Sequence, residues 1–170
     1  MANKFCYNIA ISRVQYSLRI RSKFYFISVK NKARIYTVDG GLTGNLDVKV
    51  PDLNRPSYFH SAVQVKQDLY VYSNCDLYHL QNIQSERNKM TWTIKKSYDT
   101  EMKYGVCLLN FYDRFLFIFR GHHGSFCVNY KTVLRYSIAE DKYLVAPTLN
   151  RVKLSIAGCV LNDFIYVFSG

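Results

Sequence analysis

A short strand-like run occurs three times along the chain at nearly constant spacing, and this repeat limits the fold more than any other feature. The runs LYVYSN, LFIFRG and IYVFSG begin at residues 69, 116 and 165, so they are 47 and 49 residues apart. Each run alternates aliphatic and aromatic residues and ends at small or polar ones, which is typical of a buried strand stopped by a turn. A period of this length predicts a repeat protein.

The run belongs to a longer unit of four predicted strands. A first strand with small residues at its start precedes each run, at 61–65, 105–109 and 157–161. Small residues there let a neighbouring backbone approach closely. A third strand with a central tyrosine lies at 34–38, 76–80 and 134–138. A weaker fourth strand is predicted at 90–94 and 143–145.

Four antiparallel strands at this period predict a blade of a β-propeller. We therefore expect an all-β chain of about three to four blades, in units at 5–56, 57–100 and 101–151 with a half unit at 152–170. Propellers close with about four to eight blades, so we expect an incomplete propeller or an open arc. The last strand of an open arc is an exposed edge, which favours self-association. The alternative is that strands from residues 5–20 complete the last unit and close the ring.

The residues of these units resemble the kelch repeat of galactose-oxidase-like propellers. The matching residues follow the order of that repeat: Arg55, His60-Ser61-Ala62-Val63, Leu69-Tyr70-Val71, Tyr78 and Trp92. In the next unit Tyr136 and Tyr143 look like the Tyr and Trp of the family, so we expect Tyr78 and Tyr136 at equivalent places. The resemblance covers about residues 24–170. It implies a kelch-type propeller segment that acts in protein–protein interaction, as a scaffold or as a substrate receptor.

The chain carries a formal net charge of +11, part of which is concentrated near the N-terminus. Seven basic residues and no acidic one lie between positions 13 and 34, namely Arg13, Arg19, Arg21, Lys23, Lys30, Lys32 and Arg34. Such a cluster predicts an acidic partner, such as nucleic acid, an acidic protein segment or an anionic membrane surface. A solvated basic surface is the alternative, because no RNA-binding signature of paired aromatics accompanies the cluster.

Few residues of the chain point to chemistry. The sequence contains no glycine-rich phosphate loop, no nucleophile-elbow motif and no His-Glu-x-x-His motif. Two imidazoles and a thiol occur close together, at His122, His123 and Cys127, but adjacent residues of an extended chain point apart and no further ligand has suitable spacing. We therefore predict no catalytic residue, no metal and no cofactor. Instead, Arg120, His122, His123 and Asn74 are predicted to contact a protein partner from polar loops.

The five cysteines favour a reducing compartment. Their number is odd and no pair has CxxC spacing, so we expect no disulfide framework. Cys107 and Cys159 share a Cys-x-Leu-Asn motif and are expected to pack as small apolar residues at equivalent places. The chain has no apolar run of about 18 residues and no signal-peptide pattern, so we expect no membrane span and a cytoplasmic location, with the nucleus as the alternative.

The function predicted from the sequence is a non-enzymatic protein-interaction module whose partner is another protein. Two alternatives remain open: a basic binder of nucleic acid or of an anionic surface, and a truncated propeller fragment without independent function. An enzyme built on a propeller would need carboxylates or histidines clustered at the central channel, and the sequence places none there.

Overall fold

The computed structural model describes residues 9–11, 22–27, 33–38, 45–49, 51, 60–73, 75–81, 90–95, 105–120, 122–123, 128–129, 131–151 and 156–169. All the regular elements in these residues are β-strands, and every pairing between them is antiparallel, which confirms the predicted all-β class. The described residues contain no helix long and apolar enough to cross a membrane.

Sheet 1 consists of four strands paired in chain order. They are β1 (Ile9–Ile11), β2 (Ser22–Ile27), β3 (Ala33–Val38) and β4 (Asn45–Lys49). Of the two segments considered for the first strand, residues 9–11 pair with β2, in the register Ala10 opposite Tyr25. Part of the segment considered for closing a ring is therefore the first strand of sheet 1.

Sheet 2 repeats this arrangement. Its strands are β5 (His60–Val65), β6 (Asp68–Ser73), β7 (Asp76–Leu80) and β8 (Trp92–Lys95), again paired in chain order. Both β6 and β7 are central strands, and nearly all of their residues are buried. Alternating large apolar side chains fit such strands because both faces are covered.

Sheet 3 has the same order with one addition. Its strands are β9 (Cys107–Phe111), β10 (Phe115–Phe119), β13 (Val133–Ser137) and β14 (Lys142–Val145). Between β10 and β13 the chain forms a separate two-stranded ribbon from β11 (His122–His123) and β12 (Val128–Asn129).

Sheet 4 is a hairpin of β15 (Ile156–Leu161) and β16 (Phe164–Ser169), joined by the two-residue turn 162–163. The first hairpin of sheet 2 also turns through two residues, 66–67, whereas that of sheet 3 turns through three, 112–114.

The first strands of consecutive sheets lie next to one another. Contacts join β1 to β5, β5 to β9, and β9 to β15. The backbone amide of Ile156 donates a hydrogen bond of 3.3 Å to the carbonyl of Gly105, just before β9. A row of adjoining first strands is compatible with the packing of propeller blades.

The apolar core lies between the sheets. We call the face that a sheet turns toward the next sheet in the chain its forward face, and the opposite face its rear face. The core between sheets 2 and 3 joins the forward residues Val63, Val65, Tyr70, Tyr72 and Leu77 to the rear residues Leu108, Leu116, Ile118, Leu134 and Tyr136. All ten are buried, so this junction removes a large apolar area from water.

The junction between sheets 3 and 4 follows the same rule. Its buried residues on sheet 3 and the segment after it are Cys107, Phe119, Val133 and Ala146. Partly buried side chains packed against them include Leu109 and Phe117 of sheet 3 and Ile156, Ile165 and Val167 of sheet 4. In both junctions the second strand of the earlier sheet contributes aromatic residues and that of the later sheet contributes aliphatic ones.

The third strands are shifted relative to the predicted alignment. Tyr78 pairs with Val71. The residue of sheet 3 that matches Val71 in the repeat is Ile118, but Tyr136 pairs with Leu116, two residues earlier. Tyr136 thus takes the place of Leu80, and the prediction that Tyr78 and Tyr136 are equivalent is wrong. The connections before β7 and β13 differ in length, so the register of each third strand is set by its own connection. A shift of two residues keeps a side chain on the same face.

Trp92 packs within its own sheet, as predicted. Its side chain is buried, and its ring meets that of Tyr78 edge to face at 6.4 Å between centroids. Trp92 pairs with Leu80 and Tyr143 pairs with Tyr136, so Tyr143 does take the place of Trp92 in sheet 3.

The two cysteines of the Cys-x-Leu-Asn motif are not equivalent. Cys107 pairs with Phe119 and is buried, whereas Cys159 pairs with Tyr166 and is exposed. The prediction that both pack as small apolar residues is therefore correct for Cys107 and wrong for Cys159. The motif of sheet 3 begins four residues before the last residue of its first strand, whereas that of sheet 4 begins two residues before it, so the two cysteines meet different partners.

Candidate interaction surface

The hairpin of sheet 4 is shaped by its turn. Asn162 and Asp163 have φ values of 48° and 66°, in the left-handed region that a tight two-residue hairpin turn requires. Asparagine and aspartate tolerate this region better than most residues. Six residue pairs follow, from Leu161 opposite Phe164 to Ile156 opposite Ser169.

The rear face of this hairpin is held against sheet 3. Gly158 marks the closest approach: a Cβ atom there would lie 2.9 Å from the carbonyl oxygen of Tyr166 and 3.0 Å from Cδ1 of Leu109. Only glycine fits without a shift of these neighbours. The turn adds a polar link, because the hydroxyl of Tyr112 in the turn of sheet 3 donates a hydrogen bond to Oδ1 of Asp163.

The forward face of the same hairpin is open to solvent. We call it the terminal face, and it consists of Ala157, Cys159, Leu161, Phe164, Tyr166 and Phe168, all of which are exposed. The exposed fractions are 51% for Leu161, 66% for Phe164, 43% for Tyr166 and 57% for Phe168. No side chain of this face is charged. An apolar surface of this kind on the described part of the chain is a candidate for contact with another molecule.

The matching positions of sheets 2 and 3 are covered. Tyr166 and Phe168 correspond to Tyr70 and Tyr72 in sheet 2, which are 3% and 1% exposed beneath sheet 3. In sheet 3 they correspond to Phe117 and Phe119, which pack against sheet 4. The terminal face therefore repeats a surface that is covered in each earlier described junction.

The outer edge of β16 pairs with no described strand. Strands β6 and β10 pair on both sides, with β5 and β7 and with β9 and β13, whereas β16 pairs with β15 alone among the strands that the structure describes. An unpaired strand edge offers backbone donors and acceptors to another chain.

A polar contact joins the outer strands of sheets 2 and 3. Asp141, in the turn before β14, accepts hydrogen bonds from the hydroxyl of Tyr136 and from Nζ of Lys95, the latter at 3.2 Å. These contacts, the Tyr136 hydroxyl first, hold the pKa of Asp141 below its ordinary value. Burial raises the pKa of Tyr136, and that of Tyr70 to about 12, so both hydroxyls remain protonated at neutral pH. The contact is suited to holding the sheets together.

A histidine and a carboxylate meet inside sheet 2. Nε2 of His79 lies 2.9 Å from Oδ2 of Asp68, and the ring of Tyr70 stacks on the imidazole at 4.3 Å between centroids. Only 4% of His79 is exposed. The tyrosine ring covers the imidazole, while the Asp68 side chain is 34% exposed, and the contact links β6 to β7.

Three of the four residues predicted to contact a partner are described, and none of these three belongs to the terminal face. Arg120 directly follows β10 and is 4% exposed. His122 and His123 form β11 and pair with Asn129 and Val128. Asn74 lies outside the described residues. A partner-binding role for these four residues stays a prediction.

The basic cluster is described only in part. Lys23 lies in β2, where it pairs with Thr37, and Arg34 lies in β3, where it pairs with Phe26. The remaining members lie outside the described residues, and they are Arg13, Arg19, Arg21, Lys30 and Lys32. Binding of nucleic acid or an anionic surface by this cluster stays a prediction.

Within the described ranges, no group of three or more histidine, cysteine, aspartate or glutamate residues could hold a metal ion. Cys127, the third member of the cluster considered from the sequence, lies outside these ranges.

The terminal face was missed by reasoning from the sequence, which predicted only the exposed edge of the last strand. The usable signal was the match with sheets 2 and 3. Tyr70 lies on the forward face of sheet 2, and Phe117 lies on the forward face of sheet 3. Tyr166 matches these two residues in the repeat, and side chains alternate between the faces of a strand, so Tyr166 lies on the forward face of sheet 4.

Compared with known protein families, the sequence matches no family model. Among curated proteins, no relative matches it.

Proposed function

We propose that this chain is a non-enzymatic protein-interaction module built from kelch-type repeats, in which consecutive four-stranded sheets form part of a propeller. The regular sheet order and the adjoining first strands support the repeat architecture. The quoted kelch-like residues support the family type. A rigid array of this kind suits partner binding because its surfaces are already formed before the partner arrives.

One observation carries the interaction role, namely the terminal face. Its aromatic and aliphatic side chains are exposed on a strand whose other face is packed, so the surface is fixed in shape. Protein interfaces concentrate tyrosine and phenylalanine at their cores and contain few charges there. Phe164, Tyr166 and Phe168 have this composition.

Affinity capture with matched variants tests this role. The immobilised chain is incubated with an extract of the cells that naturally produce it, in parallel with a Phe164→Lys/Phe168→Lys variant and a Val145→Lys control. Val145 is a suitable control because it is 76% exposed on β14, outside the terminal face. We expect a defined set of proteins to bind the unaltered chain and the control but not the double variant. Identical sets from all three would contradict an interaction role for this face.

A further inference from the structure

We draw no further inference here: the strongest candidate, the apolar terminal face of sheet 4, carries nothing because nothing in the structure shows what covers it.

Discussion

The backbone amide of Leu108 donates a hydrogen bond of 2.9 Å to Oγ of Ser61, which joins the first strands of sheets 2 and 3. Leu108 is 3% exposed, so its amide has no ready replacement partner when the hydroxyl is removed. We expect Ser61→Ala to lower the free energy of unfolding by about 1–3 kcal/mol in denaturant titrations. Gln67→Ala, in an exposed turn of the same sheet, serves as control and should change stability little. Equal effects would show that the bond does not stabilise the junction.

Trp92 contributes both an apolar ring and a hydrogen bond. Its Nε1 donates to the carbonyl of Pro51 at 2.7 Å, and its ring packs on Tyr78. Trp92→Ala should cost about 3–5 kcal/mol of unfolding free energy. Trp92→Phe keeps an aromatic ring and should cost less, about 1–3 kcal/mol, chiefly through the lost hydrogen bond. A cost below about 1 kcal/mol for Trp92→Ala would mean that the side chain is not packed as described.

Gly158→Ala should loosen sheet 4 from sheet 3. The added methyl group would lie 2.9 Å from the Tyr166 carbonyl oxygen, which is backbone and cannot move aside without disturbing the hairpin. We expect a loss of about 1–3 kcal/mol in stability. Hydrogen exchange should speed up in β15 and β16 more than in sheet 2. Ala157→Ser, on the exposed side of the same strand, should leave exchange in both sheets unchanged.

The contacts of Asp141 should make the stability of the junction between sheets 2 and 3 depend on pH. Because the pKa of Asp141 is lowered in the folded chain, its contribution is complete above the ordinary pKa of an aspartate and is lost as pH falls through the lowered value. Asp141→Asn should therefore be less stable than the unaltered chain at pH 7, and the difference should shrink below about pH 4.

The neighbouring acid provides the control for that experiment. Glu140 forms an ion pair of 3.0 Å with Lys142, and both side chains are more than half exposed. Such a pair contributes little to stability. Glu140→Gln should thus change stability little at either pH, and a pH dependence equal to that of Asp141→Asn would refute a specific role for the Tyr136–Asp141 contact.

Cys107 should react slowly with thiol reagents. Burial raises the pKa of its thiol to about 11, so almost none of the reactive thiolate is present at pH 8. Cys159 is exposed on the terminal face. In dilute protein, site-resolved mass spectrometry should find Cys159 alkylated well before Cys107. Simultaneous modification of the two would indicate that sheet 4 opens from sheet 3.

The strands could be predicted from the sequence because their signals are local. Alternation in β6, β10 and β16 and the period of 47–49 residues located the sheets and their central strands. The register of the third strands could not be predicted in this way. Tyr136 and Tyr78 look alike in sequence, but the length of the preceding connection decides which residue of the second strand each one faces.

The exposure of the last hairpin could not be predicted from its sequence either. Phe168 and Phe119 occupy the same position in matching strands, but Phe119 is covered by sheet 4 whereas no described sheet covers Phe168. The burial of such a side chain depends on the neighbouring sheet. It can be predicted only when the direction in which the sheets are stacked is known.

The unequal first-hairpin turns have a consequence for how such an array changes over time. Sheet 3 carries one more turn residue than sheets 2 and 4, yet β9 still lies beside both β5 and β15. An insertion at a turn is absorbed in solvent and leaves the packed faces untouched. The repeats of such an array can therefore differ in turn length while the stacking of their sheets persists.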